Sequence, residues 1–453
     1  MIVCKFGGSS LADAGQIKKA CDIMLADRER RIMVVSAPGI RSNVIPDTKM
    51  TDRLIRLIHQ FEKDQMDQEE SLGIKVRLTE LTSSLELPSE LAAELIYELD
   101  RLVFELDAQS PASKAALVAF GEWSMGRIVT ACLLSRGIPA RFVDPRDAGL
   151  MLAYKNGLTE ILPQTYVNLA PLSLEEALIV FPGFYGLTEE GETMTFSRGG
   201  SDITGAILSA AVNARLYENW TDRDSVLAVN PEYIEHAAPL TEMSYREMRE
   251  LAYIGFSIIH PEALEPVIEK NIPIRICNTN DPTAPGTRIV AERTHIDRIL
   301  TGIAAGDEFC TINLRRVLIN QEIGILSRIL NIFAEMGINV HHVPTGIDSV
   351  SIVVKEAQFS LEQELVLRHR LRSELGLEHI TAVRGMAVVM LVGEGIRDTI
   401  GVMARAATAL ADEQISIEMV LLDYFEISML FMMRSYEKAR AVLALYREFF
   451  PQD

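Results

Sequence analysis

Val3-Cys4-Lys5-Phe6-Gly7-Gly8-Ser9-Ser10 is a short apolar run that ends in a lysine, two glycines and two hydroxyls, and a helical pattern starts directly after it. That order reads as a strand feeding a glycine turn at a helix N-terminus. Bare backbone N–H groups and the helix dipole favour phosphate at such a turn. Lys5 adds a full positive charge on the same side. Thr195-Phe196-Ser197-Arg198-Gly199-Gly200-Ser201-Asp202 is a second glycine turn before a second helix. Two anion-binding turns, one with Lys and one with Arg and Asp, point to a kinase for a small anionic substrate. Neither the G-x-x-x-x-G-K-[ST] of a P-loop nor G-x-G-x-x-G followed by H-R-D is present.

Outward from the first turn, residues 1 to about 295 alternate strands and helices. Strands are expected at Met1–Phe6, Ile32–Ser36, Ala140–Val143, Ala177–Pro182, Arg215–Asn219 and Ile274–Cys277, and helices at Gln16–Ala26 and Ser201–Val212. This alternation predicts an α/β sandwich with a largely parallel sheet. Residues 52–107 differ, being rich in Glu, Gln, Leu and Lys with a helical period broken near Gly73 and Pro88. They read as a helical insertion, either over the active site or as a surface hairpin.

The chain of 453 residues is 48% hydrophobic, enough for buried cores, and carries a net charge of −19. Such acidity disfavours nucleic acid and anionic membrane as partners, so an anionic ligand needs a local positive pocket. The five cysteines, 4, 21, 132, 277 and 310, are scattered without a CxxC. Reduced thiols in the cytoplasm are expected. No basic leader precedes an apolar stretch, and no uninterrupted apolar run reaches spanning length.

The C-terminal third repeats itself at an offset of 77 residues. Gly324-Ile325-Leu326-Ser327-Arg328 matches Gly401-Val402-Met403-Ala404-Arg405, and Ile338-Asn339-Val340 matches Ile415-Ser416-Ile417. Each copy reads strand, glycine loop, amphipathic helix and two strands. Two such copies make a pair of small α+β domains that bury sheet or helix faces against each other.

Phosphoryl transfer needs charge neutralisation and alignment more than covalent help. A carboxylate acceptor is already ionised and needs no general base, which agrees with the absence of histidine from both glycine motifs. Arg198 suits a bidentate pair with a carboxylate. Asp202, one helical turn on, is placed to orient Lys5 or a magnesium-bound water. Glu122, after the apolar Ala119-Phe120-Gly121, suits a substrate ammonium, although taken alone it reads more readily as an exposed helix glutamate.

With Val35-Ser36-Ala37-Pro38-Gly39, Gly121-Glu122, Trp220-Thr221-Asp222 and Asn278-Thr279-Asn280 added in this order, the chain resembles the aspartate kinases along essentially its whole length. The resemblance implies the three-layer amino-acid kinase fold over residues 1–295, with 52–107 inserted, then paired ferredoxin-like ACT domains over 296–384 and 385–453. It implies Mg-ATP and L-aspartate as substrates, giving 4-phospho-L-aspartate and ADP at the entry to lysine, threonine, methionine and isoleucine. By position, Lys5 would stabilise the transferring phosphoryl group, with Asp202 organising Lys5 and magnesium. Gly7, Gly8 and Ser9 would cradle phosphate and substrate, and Ser36, Thr51 and Ser201 would line the aspartate pocket. Glu122 would take the ammonium and Arg198 the α-carboxylate, while Thr221 and Asp222 would contact nucleotide.

The ACT pair implies an amino-acid effector, lysine or threonine, near Gly324, Leu326, Asn339 and Val340, and a homodimer or homotetramer. No dinucleotide-binding region follows it, so a monofunctional kinase is expected. The chain departs from the family at Leu227, Asn230, Glu232 and Ser257. Glu232 in place of a cation is expected to weaken ATP binding unless Arg223 compensates. A kinase for another acidic amino acid and a non-catalytic amino-acid sensor are the alternatives left open.

Overall fold

The computed structural model describes residues 1–41, 44, 47–65, 68–155, 158–196, 199–256, 259, 265–296, 298–422 and 427–450. Two compact units divide the chain. The first comprises Met1–Val226, Pro239–Arg249 and Ser257–Arg293, and the second Leu227–Ala238, Glu250–Phe256 and Thr294–Asp453.

In the first unit β1 (Ile2–Phe6), β2 (Arg30–Val35) and β3 (Ala140–Phe142) precede a hairpin of β4 (Leu152–Lys155) and β5 (Leu158–Ile161). β6 (Leu178–Pro182) leads to a second hairpin, β7 (Tyr185–Leu187) with β8 (Thr193–Thr195), and then to β9 (Leu216–Thr221). After the short β10 (Val226–Leu227) and β11 (Pro239–Leu240) come β12 (Glu242–Ser244), β13 (Ile274–Asn278) and β14 (Thr287–Val290). Eight strands form one sheet in the order β12-β14-β13-β9-β1-β2-β6-β3. Its neighbours run parallel except β13 and β14. All six expected strands are present. β1 is buried along its whole length, as its unbroken apolar run requires of a strand covered on both faces.

The first glycine turn does not open the long helix directly. Gly8 starts a single 3₁₀ turn, Ser9–Leu11, and α1 (Ala14–Ala26) begins behind Asp13, whose carboxylate accepts the Gln16 N–H at 2.9 Å. An aspartate at that position satisfies an orphan donor and sets a helix start of its own. α2 (Met50–Glu62), α3 (Gln68–Ser84), α4 (Ser89–Phe104) and α5 (Pro111–Ser135) follow. The expected break at Gly73 does not occur. α3 passes through it, because Gly73 is where the Arg53 guanidinium of α2 lies against α3. Pro88 does mark a break, standing as the N-cap of α4. Leu54, Leu78, Leu95 and Leu99 are fully buried in the same apolar cluster as Ile2, Cys4 and Phe6, so these helices are core and not a surface hairpin.

By length and composition α5 is long and apolar enough to cross a membrane. Yet 72% of its apolar window is buried within the protein, as for a core helix. α6 (Gln164–Leu169) precedes α7 (Gly200–Ala211), which opens behind Gly199 at φ 79°. All five cysteines are buried thiols.

In the second unit β15 (Gly302–Arg315), β16 (Ser349–Lys355), β17 (His379–Val392), β18 (Met419–Leu422) and β19 (Ser428–Arg434) form one antiparallel sheet in the order β16-β15-β17-β19-β18. The internal repeat is visible in it. β15 and β17 lie 77 residues apart, as do the helices Ile325–Glu335 and Val402–Asp412. The copies do not simply stack faces. β15 and β17 pair along their whole length, from Gly302 opposite Val392 to Arg315 opposite His379. Edge hydrogen bonds therefore join both copies into one sheet, and residues 384–385 fall inside a strand that both copies use. The β15–β17 register shifts between Gly306 and Phe309, where Glu308 has φ 62°; 77 residues on, Gly385 has φ 68°.

The repeat also equates Gly337 (φ 68°) with Gln414 (φ 57°), each just past the end of its helix. A left-handed backbone favours glycine there. Gln414→Gly is expected to stabilise the second unit by about 0.5–1 kcal/mol after the entropic cost of glycine, read from the urea midpoint, and Gly337→Gln to destabilise it.

Candidate active site

The parallel register of β1 and β9 sets Lys5 beside Asn219. The first turn of α7 brings Asp202 to both. The Lys5 ammonium lies 2.7 Å from Asp202 Oδ1 and donates to Asn219 Oδ1 at 3.5 Å, while the Asn219 amide donates to Asp202 Oδ1 at 2.9 Å. All three residues are buried. Tyr217 fixes the helix start by donating its hydroxyl to the Asp202 carbonyl at 3.1 Å.

Gly7 and Gly8 sit directly beyond Lys5. The Gly7 N–H donates to the Trp220 carbonyl at 3.0 Å, and the Gly39 N–H to the Gly8 carbonyl at 2.8 Å. A Cβ on Gly8 would lie 2.9 Å from the Ala37 carbonyl oxygen, and one on Gly39 would lie 2.5 Å from the Gly8 carbonyl carbon. Backbone meets backbone at this point, and only glycine fits on either side. Ser9 is half-buried beside it. Ser10 is buried, and its hydroxyl lies 2.7 Å from that of Thr279, which ties the glycine turn to Asn278-Thr279-Asn280.

Glu122 lies on α5, more than nine-tenths buried. Burial pushes its carboxyl up to about 8, against a hydrogen bond from the Ala37 N–H that favours the charged form. Its Oε2 has no hydrogen-bond partner among the described residues. Ser36, half-buried, follows the end of β2 one residue before Ala37, and the Met50 N–H donates to the Pro38 carbonyl at 3.1 Å next to the half-buried Thr51. Ser36, Thr51 and Glu122 thus converge on the 36–39 loop. Ser201 is buried beside Asp202, packed where Gly183 leaves room for it.

Thr221 ends β9 and Asp222 follows it, with the Thr221 hydroxyl donating to the Asp222 carboxylate at 3.1 Å and Asp222 exposed. Arg198 and Ser257 lie outside the described residues. Leu227, Asn230 and Glu232 belong to the second unit, where the Asn230 amide and the Glu232 carboxylate bond to each other at 3.3 Å. Gly324 (φ 77°) caps the helix Ile325–Glu335 in that unit, Leu326 and Asn339 are exposed and Val340 is half-buried. Sequence reasoning missed Asn219. The signal was a lone amide in the apolar Leu-Tyr-Glu-Asn-Trp-Thr strand, one residue from the Trp-Thr-Asp motif.

The amino acid kinase family model matches residues 1–278, and an ACT domain model matches residues 389–449. Aspartokinase 3 of Bacillus subtilis is 40% identical over 451 residues, covering 99% of each chain. The solved Clostridium acetobutylicum aspartate kinase superposes with a TM-score of 0.84 at 32% identity, covering 99% of this chain and 100% of that one. Escherichia coli aspartokinase III in complex with aspartate and ADP shares the fold, with a TM-score of 0.82 at 24% identity over 99% and 100% of the two chains.

A carboxyl held near 8 in the folded chain and near 4.5 in the unfolded one costs stability as pH rises between those values, because the unfolded state ionises first. Glu122→Gln removes that linkage. The unfolding free energy of the ligand-free variant is therefore expected to decline less from pH 5 to 8 than that of the parent, measured by urea titration at each pH.

Proposed function

Because the chain belongs to the amino acid kinase family and, within it, to the aspartokinases, we propose that Glu122 holds the ammonium of L-aspartate while Lys5 steadies the phosphoryl group. The reaction is the ATP-dependent phosphorylation of the aspartate side-chain carboxylate to 4-phospho-L-aspartate, under amino-acid control through the ACT repeat. The observation that carries the division of roles is a pair of features on one loop. A buried lysine borders the glycine turn that packs on Gly39, and a buried carboxylate with an unpartnered oxygen accepts the Ala37 N–H. A phosphate fits the first and an ammonium the second.

The acceptor oxygen is anionic and attacks the γ-phosphorus directly. Its O–P bond forms as the bond to the β-phosphate oxygen breaks, with no proton to remove. Lys5 offsets the charge on the oxygens in flight, and Asp202 with Asn219 keeps the ammonium aimed while the site is empty. The backbone of Gly7 and Gly8 takes the phosphates, and Thr221 and Asp222 take the nucleoside side. Ser9, Ser36, Thr51 and Ser201 line the aspartate pocket, with Arg198 on the α-carboxylate.

No three His, Cys, Asp or Glu side chains cluster closely enough among the described residues to hold a metal. Magnesium carried in with the nucleotide would neutralise its phosphates, and Asp202 would be the protein carboxylate that holds it. The E. coli enzyme was solved with aspartate and ADP, and again with lysine and aspartate. We assign the lysine or threonine class of effector to the Gly324, Leu326, Asn339 and Val340 loops of a homodimer or homotetramer.

Lys5→Ala is expected to lower kcat roughly 10²–10³-fold, read as aspartate-dependent ADP release with the acyl phosphate trapped by hydroxylamine. Undiminished hydroxamate formation would sink the role given to Lys5. The pH dependence follows from Glu122. Ammonium binding needs the carboxylate, so kcat/KM for aspartate rises by about tenfold per pH unit up to a bend near 8. Glu122→Gln is expected to raise the aspartate KM and erase that bend.

A further inference from the structure

Arg77 lies on α3, inside the helical insertion, yet its guanidinium reaches out of that insertion and is 2% exposed. Its Nη1 donates to the Thr48 carbonyl at 3.0 Å and to Asp47 Oδ2 at 3.3 Å. Its Nη2 donates to the Ala12 carbonyl at 3.0 Å and to the Gly39 carbonyl. Four of the five N–H donors of one side chain are therefore spent on backbone and carboxylate of the segments that frame the glycine turn. Asp47, 2% exposed at its side chain, is shared with Arg41, which donates to it from backbone and guanidinium at 2.8, 3.1 and 3.0 Å.

The three carbonyls are not arbitrary. Gly39 is the residue packed on Gly8. Ala12 follows the 3₁₀ turn that Gly8 opens. Thr48 lies three residues before Thr51. The Ala37 N–H that meets Glu122 is two residues before Gly39. An apolar side chain of similar length fills the space, but leaves these carbonyls without donors.

We propose that Arg77 is a positioning residue for the aspartate kinase reaction, holding Gly39, Asp47 and Thr48 against the glycine turn so that Glu122, Ser36 and Thr51 meet one substrate geometry. The inference rests on the reading of the loop after β2 as the aspartate pocket. The helical insertion then has a catalytic purpose. It delivers a planar fork from outside the loop to the carbonyls of Ala12, Gly39 and Thr48. A lysine offers three donors from a single point and spans only part of the set.

The test compares Arg77→Met, Arg77→Lys, Asp47→Asn and Lys5→Ala in the full-length protein. For each, kcat and KM for aspartate and for Mg-ATP are measured alongside the melting temperature. Misplaced binding groups cost on the order of 10²-fold, so kcat/KM for aspartate is expected to fall by about that factor in Arg77→Met. The loss should lie mostly in the aspartate KM, with Arg77→Lys and Asp47→Asn between it and the parent. A folded Arg77→Met with parental kinetic constants would overturn the proposal. So would equal losses for aspartate and Mg-ATP that track the melting temperature, since a merely structural arginine does that. If Arg77→Met does not fold, Arg77→Lys and Asp47→Asn decide: a raised aspartate KM in both supports the positioning role, and unchanged constants refute it. Should Lys5→Ala retain activity, the assignment of the site itself fails, and that outcome is separate from any result for Arg77.

Discussion

A lysine at the end of a strand buried on both faces is the constraint around which the catalytic unit is arranged. An ammonium taken out of water is costly unless a counter-charge and hydrogen-bond acceptors meet it. Lys5 finds both, Asp202 at 2.7 Å and the Asn219 amide oxygen at 3.5 Å. Meeting that need fixes three elements together. β9 must lie beside β1 in the register that pairs Lys5 with Asn219, and α7 must begin where Asp202 reaches both.

The second requirement is closeness. Gly8 and Gly39 approach until neither tolerates a Cβ, and this brings the loop after β2 to the loop after β1. Opposed carbonyls and N–H groups at such a contact need partners. The Gly39 N–H is satisfied by Gly8, while the Gly39 carbonyl is satisfied by an arginine from a distant helix. The helices at 50–104 thereby belong to the catalytic unit twice over. Their leucines share its apolar cluster, and Arg77 supplies donors to the Gly39 and Thr48 carbonyls after β2. Asp47 pays no protonation penalty in this arrangement. Burial works against its charge, but hydrogen bonds from Arg41 and the field of Arg77 hold its carboxyl near 2.

In the second unit, duplication solved the problem of exposed strand edges. Each copy alone would present long unpaired edges in β15 and β17, and pairing these with each other removes them. The copies retain matched backbone turns where their side chains have diverged, as Glu308 and Gly385 or Gly337 and Gln414 show. Positive φ is inherited at such positions even where glycine is not.

The sequence by itself determined what depends on neighbours along the chain. The apolar run ending in Lys5, the glycines, the strand–helix alternation and the 77-residue repeat are all local patterns of period and turn chemistry. From them the parallel sheet, both glycine turns and the paired α+β copies were legible, and Lys5 and Asp202 stood out as candidate active side chains. Tertiary structure alone decided what depends on burial and on approach through space. It chose Asn219 as the third member of the Lys5 cluster across a parallel register 214 residues away in the chain. It made Glu122 a carboxyl near 8 by surrounding it with protein, although nothing in Gly121-Glu122 distinguishes it from an exposed helix glutamate. It turned Arg77, one charge among several on α3, into a donor for Ala12, Gly39 and Thr48. Desolvation and long-range hydrogen bonding are properties of the packed chain, and no reading of one segment at a time contains them.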